Sequence, residues 1–241
     1  MYPVIAALSI PFLVITIKYL LVEDECIINL SRAASVAFLV YAPFGFGQIP
    51  LFAWMGNWLI MLVVNNILWI LDALHFTAGL TCIIPGTEQI MTSGSCGDLL
   101  QNVITRNNYS VEIILACTGI QSIAIMLGVA AAVPTTLRQK ILAFLIIVPT
   151  IYILNLLRNV FVIMAYTDQW FPYWPEIASN GDIGYESFFW AHNVIAELLA
   201  LVCLVMIAYG LFTIIPGLGR FADDLYQLYL GEVRTAFCKK K

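Results

Sequence analysis

Apolar runs long enough to cross a membrane recur along this chain from its first residues to about position 215. A bilayer's hydrocarbon core takes roughly 20 apolar residues per crossing helix. On that length the pattern predicts six spans, at about 2–22, 33–47, 51–71, 111–133, 140–166 and 187–215. The last three are the most regular. Between the second and third, YAPFGFGQIP packs Pro and Gly between short apolar runs, and a re-entrant or interfacial segment would carry the same pattern. Met1–Val22 has no basic residue ahead of its apolar stretch and only Lys18 at its far end, so it reads as a retained helix rather than a cleaved signal peptide. The expected fold class is therefore all-α: a polytopic bundle of about six transmembrane helices. A single membrane domain covers 1–215, a polar outer loop lies at about 72–110, and a basic tail follows from 216 to 241.

Composition supports the pattern, since 61% of the 241 residues are hydrophobic and 11% charged, an excess no soluble domain needs. The formal charge of −4 gives no reason to expect a nucleic-acid partner. Position matters more than the sum, because basic residues gather on the cytoplasmic side of a membrane. Arg138 and Lys140 sit between the fourth and fifth spans, and Arg220, Arg234, Lys239, Lys240 and Lys241 in the tail. Both segments are expected to be cytoplasmic in a multi-pass protein of the cell membrane. The loop at 167–186 holds Asp168, Glu176, Asp182 and Glu186 with no Lys or Arg, and the 72–110 loop holds the glycosylation-type triplet Asn108-Tyr109-Ser110. These two loops are expected outside.

The six cysteines include no CxxC pair and no ligand-like Cys/His cluster, so no metal or cofactor is expected. Cys82 and Cys96 share the polar loop and are a candidate disulfide pair. Within the last three spans ionisable groups are few, and Cys117, Arg158, His192 and Glu197 are the candidates for chemistry among them. An ionisable side chain at membrane depth marks a functional site by default. At the helical rise, Cys117 lies about 9 Å from the outer end of its span, Arg158 about 12 Å and His192 about 8 Å, a common depth. Asn155, Arg158 and Asn159 form a stripe at i, i+3 and i+4; Cys117 with Gln121, and Asn193 with Glu197, repeat that spacing.

A thiolate is the nucleophilic form of Cys and is disfavoured in apolar surroundings unless a cation offsets the burial. His192 is placed to take the thiol proton and later protonate a leaving amine, and Arg158 to stabilise the thiolate or an oxyanion. The plain alternatives are a Cys acting as a small hydrophobe, an interfacial His, a snorkelling Arg, and Glu197 as a structural partner. The aromatic stretch QWFPYWPE reads better as an interfacial belt than as a binding box. Among rival functions, a transporter or channel using Arg158 and Glu197 would want an inverted repeat, and none is detectable. A thiol oxidoreductase would want a CxxC beside the loop pair.

Three blocks, ACTGIQS (116–122), LNLLRNVFVI (154–163) and FFWAHNVIAE (188–197), in that order, resemble the signature blocks of the exosortase/archaeosortase family. The likeness covers about 111–200, and DDLYQLYLGE in the tail is similar as well. The resemblance implies a membrane-embedded cysteine protease and transpeptidase. Its partners would be surface-protein precursors ending in a tripartite sorting signal: a short motif such as Pro-Gly-Phe, a transmembrane helix and a basic tail. By position, Cys117 matches the nucleophile, Arg158 the catalytic arginine and His192 the third residue, where some members carry Arg. Gln121, Asn155, Asn159, Asn193 and Glu197 would support the site or bind substrate. A membrane lipid would accept the new C-terminus, and the active site would face outward.

Overall fold

A computed structural model describes residues 17–18, 24–83, 90, 96–97, 99–179 and 184–238. Apart from residues 17 and 18, the first expected span lies outside the described residues, as do Asp182 and the three terminal lysines.

Long helices dominate, and local chemistry explains where they begin. Helix α1 (Glu25–Gly45) is capped by Asp24, whose Oδ1 accepts from the Cys26 amide at 2.9 Å. Helix α2 (Pro50–Ala73) opens on a proline, whose missing N–H costs nothing in the first turn. Both are long and apolar enough to cross a membrane, so the second span begins earlier than its apolar run suggested. The short helix α3 (Ile120–Ala131) follows a turn described below, and α4 (Leu137–Thr167) is the longest element. Thr136 and Gln139 form a capping box at its start: the Gln139 amide donates to Thr136 Oγ1, and Gln139 Oε1 accepts from the Thr136 amide at 3.0 Å. After one-turn helices α5 (Pro175–Ala178) and α6 (Tyr185–Phe188), a π-helical segment (Phe189–Ala196) leads into α7 (Glu197–Ile214). Tyr185–Ile214 together make a fourth crossing-length helix. The tail is helical too, as amphipathic α8 (Gly217–Cys238). Leu39, Trp69, Leu145, Leu201 and Tyr209 lie exposed along the long helices, as a chain solvated by lipid requires.

Two departures from the sequence reading stand out. The 72–110 loop carries an antiparallel sheet of β1 (Gly79–Thr81), β2 (Val103–Arg106) and β3 (Tyr109–Glu112) in that order, with a Cys82–Cys96 disulfide. The expected span at 111–133 is also not one helix. Past β3 the Ile113 amide donates to the Asn102 carbonyl at 2.8 Å, and Asn102 Nδ2 donates back to the Ile113 carbonyl at 3.0 Å. The sheet thus holds this β-branched stretch extended, and the α-helix starts only at Ile120.

Two compact units divide the chain. In Val40–Ile123 with Ile146–Ile207, the core joins Val63, Ile67 and Leu71 of α2 to Leu156, Val160 and Ile163 of α4, with Ile104 and Ile113 from the sheet. Asn66 Nδ2 donates to the Tyr152 hydroxyl at 2.9 Å. Further along both helices, Arg106 stacks 3.6 Å over Phe76 and pairs with Asp168 at 3.4 Å, so α2 and α4 run in the same direction. That places the sheet beside the 167–184 loop: Asn107 Nδ2 donates to the Thr167 carbonyl, and Tyr109 packs on Tyr166 with ring centroids 5.0 Å apart. The two loops assigned to the same side of the membrane are in contact.

In the other unit, Gly128 of α3 lies so close to α1 that an added Cβ would meet the Ala33 carbonyl at 2.5 Å and Ala37 Cβ at 2.9 Å. Small residues let membrane helices approach this closely. Gln139 Nε2 donates to the Ile214 carbonyl at 2.9 Å, satisfying one of the orphan acceptors at the end of α7.

Candidate active site

Cys117 sits in a single 3₁₀ turn, Leu115–Thr118, between the sheet and α3. The turn closes on itself: the Cys117 amide donates to the Ile114 carbonyl at 2.8 Å, and Thr118 Oγ1 to the Leu115 carbonyl at 2.7 Å. Gly119 follows with φ of 79°, a left-handed conformation that side chains resist. The structure therefore corrects the expected pairing of Cys117 with Gln121. Helical i, i+4 geometry does not hold across the turn, and Gln121 is exposed in the first turn of α3.

The stripe on α4 reaches this turn directly. Asn155 Nδ2 donates to the Cys117 carbonyl at 2.6 Å and Asn159 Nδ2 to the same oxygen at 2.7 Å. Both asparagines are buried. Two donors on one carbonyl fix the turn at the nucleophile candidate, and they use both lone pairs of that oxygen. The Cys117 side chain is partly buried and packs against the α2–α4 core.

Arg158 lies between the two asparagines in sequence. Its Nη2 donates to Glu197 Oε1 at 2.7 Å, while its Nε is buried with no hydrogen-bond partner among the described residues. A pocket of about 100 Å³ opens here, lined by Asn155 and Arg158, by Gly119 and Ser122, and by Ala196, Leu199, Ala200 and Cys203. Its wall is apolar apart from the Ser, Asn and Arg, so a guanidinium facing it meets little competing water.

His192 is placed differently. It lies in the π-helical segment, where Nδ1 is 2.8 Å from Asn193 Oδ1 and the ring stacks on Phe188 with centroids 4.9 Å apart. Among the described residues, no hydrogen bond or ion pair joins Cys117, Arg158 and His192 to one another. The wide turns also displace the expected face: Asn193 binds its neighbour His192, and Glu197 alone reaches Arg158. Such segments within α-helices occur frequently at functional sites. Among the described residues, no group of three His, Cys, Asp or Glu side chains is arranged to hold a metal.

Gly119 was not singled out from the sequence, although a Gly two residues after the Cys is the signal that would have found it. A Cβ here would meet Asn155 Cγ at 3.1 Å and Cβ at 3.2 Å, so the position needs Gly for its backbone and for the close approach of the clamp. Gly119→Ala is expected to cost on the order of 1–2 kcal/mol from the left-handed backbone alone. It should lower both the thermal stability of the detergent-solubilised protein and its activity. Unchanged values for both would show that the turn is not under this constraint.

The chain is 30% identical to archaeosortase A of Natronomonas pharaonis over 85% of its length, covering 63% of that relative. It is also 30% identical to archaeosortase A of Haloferax volcanii over 84% of its length, covering 67% of that protein. It thus spans only about two thirds of the curated relatives it matches. No solved structure matches the chain significantly. The profile of the family described as transmembrane exosortase matches residues 2–209, which takes in the first helices as well as the three blocks around Cys117, Arg158 and His192. With that match over most of its length, the chain belongs to the transmembrane exosortase family.

Proposed function

We propose that this chain is a membrane-embedded cysteine transpeptidase that processes C-terminal sorting signals of surface proteins, with its site on the outer side of the cell membrane and the tail helix in the cytoplasm. The observation that carries this reading is the clamp: two amides of one α4 stripe hold the Cys117 carbonyl, and the arginine of the same stripe lines the adjacent pocket. Family membership and the likeness to archaeosortase A point to the same chemistry.

In this reading His192 takes the proton of the Cys117 thiol, and Sγ attacks the scissile carbonyl of the precursor. Arg158 stabilises the oxyanion with its unpartnered Nε, held in place by Glu197 through Nη2. The carbon–nitrogen bond breaks, the amine leaves with a proton supplied by His192, and a thioester remains on Cys117. A nucleophilic headgroup of a membrane lipid, or water, then attacks the thioester and frees the thiol. The disulfide in the sheet loop supports the outward placement, because disulfides persist in oxidising compartments.

The test is to acid-quench the protein with a precursor carrying a Pro-Gly-Phe motif, an apolar helix and a basic tail. The peptide holding Cys117 should carry an acyl adduct that hydroxylamine releases as a hydroxamate. An adduct on another residue, or cleavage with no adduct in the Cys117→Ala variant, would refute the assignment. His192→Ala is expected to slow turnover by about 10²- to 10⁴-fold, as for a general acid/base. A loss under tenfold would leave the proton transfers to another group.

A further inference from the structure

The β2–β3 hairpin carries a feature that neither the clamp nor the pocket uses. Arg106 pairs with Tyr109, so the connection is a two-residue loop of Asn107 and Asn108, both in the left-handed region at φ of 51° and 66°. Such short hairpin loops favour Asn at these angles. The two side chains then part company. Asn107 Nδ2 donates to the Thr167 carbonyl at 3.3 Å and to Asp168 Oδ1 at 3.1 Å, which ties the hairpin to the neighbouring loop. Asn108 is exposed at the very tip and makes no hydrogen bond to any described residue. It opens the triplet Asn108-Tyr109-Ser110, and Tyr109 is anchored on Tyr166 behind it.

From this geometry we propose that Asn108 is an N-glycosylation site, taking its saccharide from a lipid-phosphate-linked donor. The proposal rests on the outward placement of the sheet loop stated above. The amide Nδ2 forms a bond to the anomeric carbon of the donor sugar. The bond from that carbon to the phosphate oxygen breaks, the lipid phosphate leaves with the bonding electrons, and the amide proton passes to a base. A second triplet in the chain provides an internal contrast. Asn29-Leu30-Ser31 has the same residue pattern but lies within α1, a crossing-length apolar helix, and Asn29 Oδ1 accepts from Arg32 Nη1 at 3.3 Å. A transferase working at the membrane surface reaches an exposed hairpin tip and not an amide inside a crossing helix. The disulfide in the loop that carries the hairpin belongs to the same compartment as such a modification.

The test produces the full chain in a host with active surface N-glycosylation and measures the mass of the proteolytic peptide containing Asn108. That peptide should carry a saccharide. Asn108→Gln and Ser110→Ala should each remove it entirely, Ser110→Thr should retain it, and Asn29→Gln should leave the glycosylated fraction unchanged. Bare Asn108 in membranes where a host glycoprotein is modified would overturn the proposal, as would a saccharide on Asn29. A Glu176→Cys variant treated on intact cells with a membrane-impermeant maleimide separates the two levels of the argument. Labelling above the unsubstituted chain together with bare Asn108 refutes the glycosylation alone. Absence of labelling with bare Asn108 refutes the outward placement as well.

Discussion

Cys117→Ala is expected to abolish maturation of a co-expressed precursor, and Cys117→Ser to be nearly as inactive. The alanine variant has no nucleophile. The serine variant keeps the volume and the clamped carbonyl but presents a hydroxyl, which is far harder to deprotonate than a thiol. Because the asparagines hold the main chain at Cys117 and not its sulfur, both variants should still fold around the turn. Precursor accumulation on gels, with variant abundance in the membrane measured alongside, separates lost chemistry from lost protein. Normal maturation by Cys117→Ala in cells without a second homologue would refute the nucleophile. The site would then read better as a substrate-binding pocket of a transporter built on Arg158 and Glu197.

The second large effect belongs to Arg158. Arg158→Lys keeps one positive charge but replaces a planar fork with a single ammonium. The fork does two things in this structure: Nη2 binds Glu197 at 2.7 Å, and Nε stays buried and unpartnered beside the pocket. A buried donor without a partner costs free energy in the resting protein and remains available to an acceptor that forms during the reaction. An ammonium held by Glu197 has no second, rigidly placed donor for an oxyanion. Turnover of Arg158→Lys should therefore fall by about 10²- to 10³-fold, the usual effect of losing an oxyanion donor. Glu197→Gln retains a hydrogen-bond acceptor for Nη2 and should lose much less. Full activity in Arg158→Lys would reduce the arginine to a point charge and remove the oxyanion role. A larger loss in Glu197→Gln than in Arg158→Lys would show that the carboxylate itself does the chemistry.

The membrane class and the ends of the later helices were legible in residue order, because both follow from quantities that add along the chain. Apolar length predicts crossing helices, and α2, α4 and the 185–214 helix lie close to where the runs predicted them. The polar stripe on α4 was equally legible, since a helix 31 residues long enforces its own periodicity and turns Asn155, Arg158 and Asn159 to one side. What periodicity could not supply was everything around Cys117. There the backbone follows the sheet rather than the local apolar pattern: Asn102 and Ile113 exchange hydrogen bonds across 11 residues, and the helix begins late. The small sheet itself carried only a weak signal, with strands of three or four residues in a loop that reads as merely polar.

Residue order determined that this chain crosses a membrane repeatedly and which few polar side chains its apolar helices carry, because hydrophobic length and helical spacing are local properties. Only the tertiary structure decided what those side chains hold. It turned two asparagines onto the carbonyl of Cys117, gave Arg158 to Glu197, and left His192 with Asn193 and Phe188. Hydrogen-bond partners are chosen by which elements meet, and that depends on packing between residues far apart in the chain.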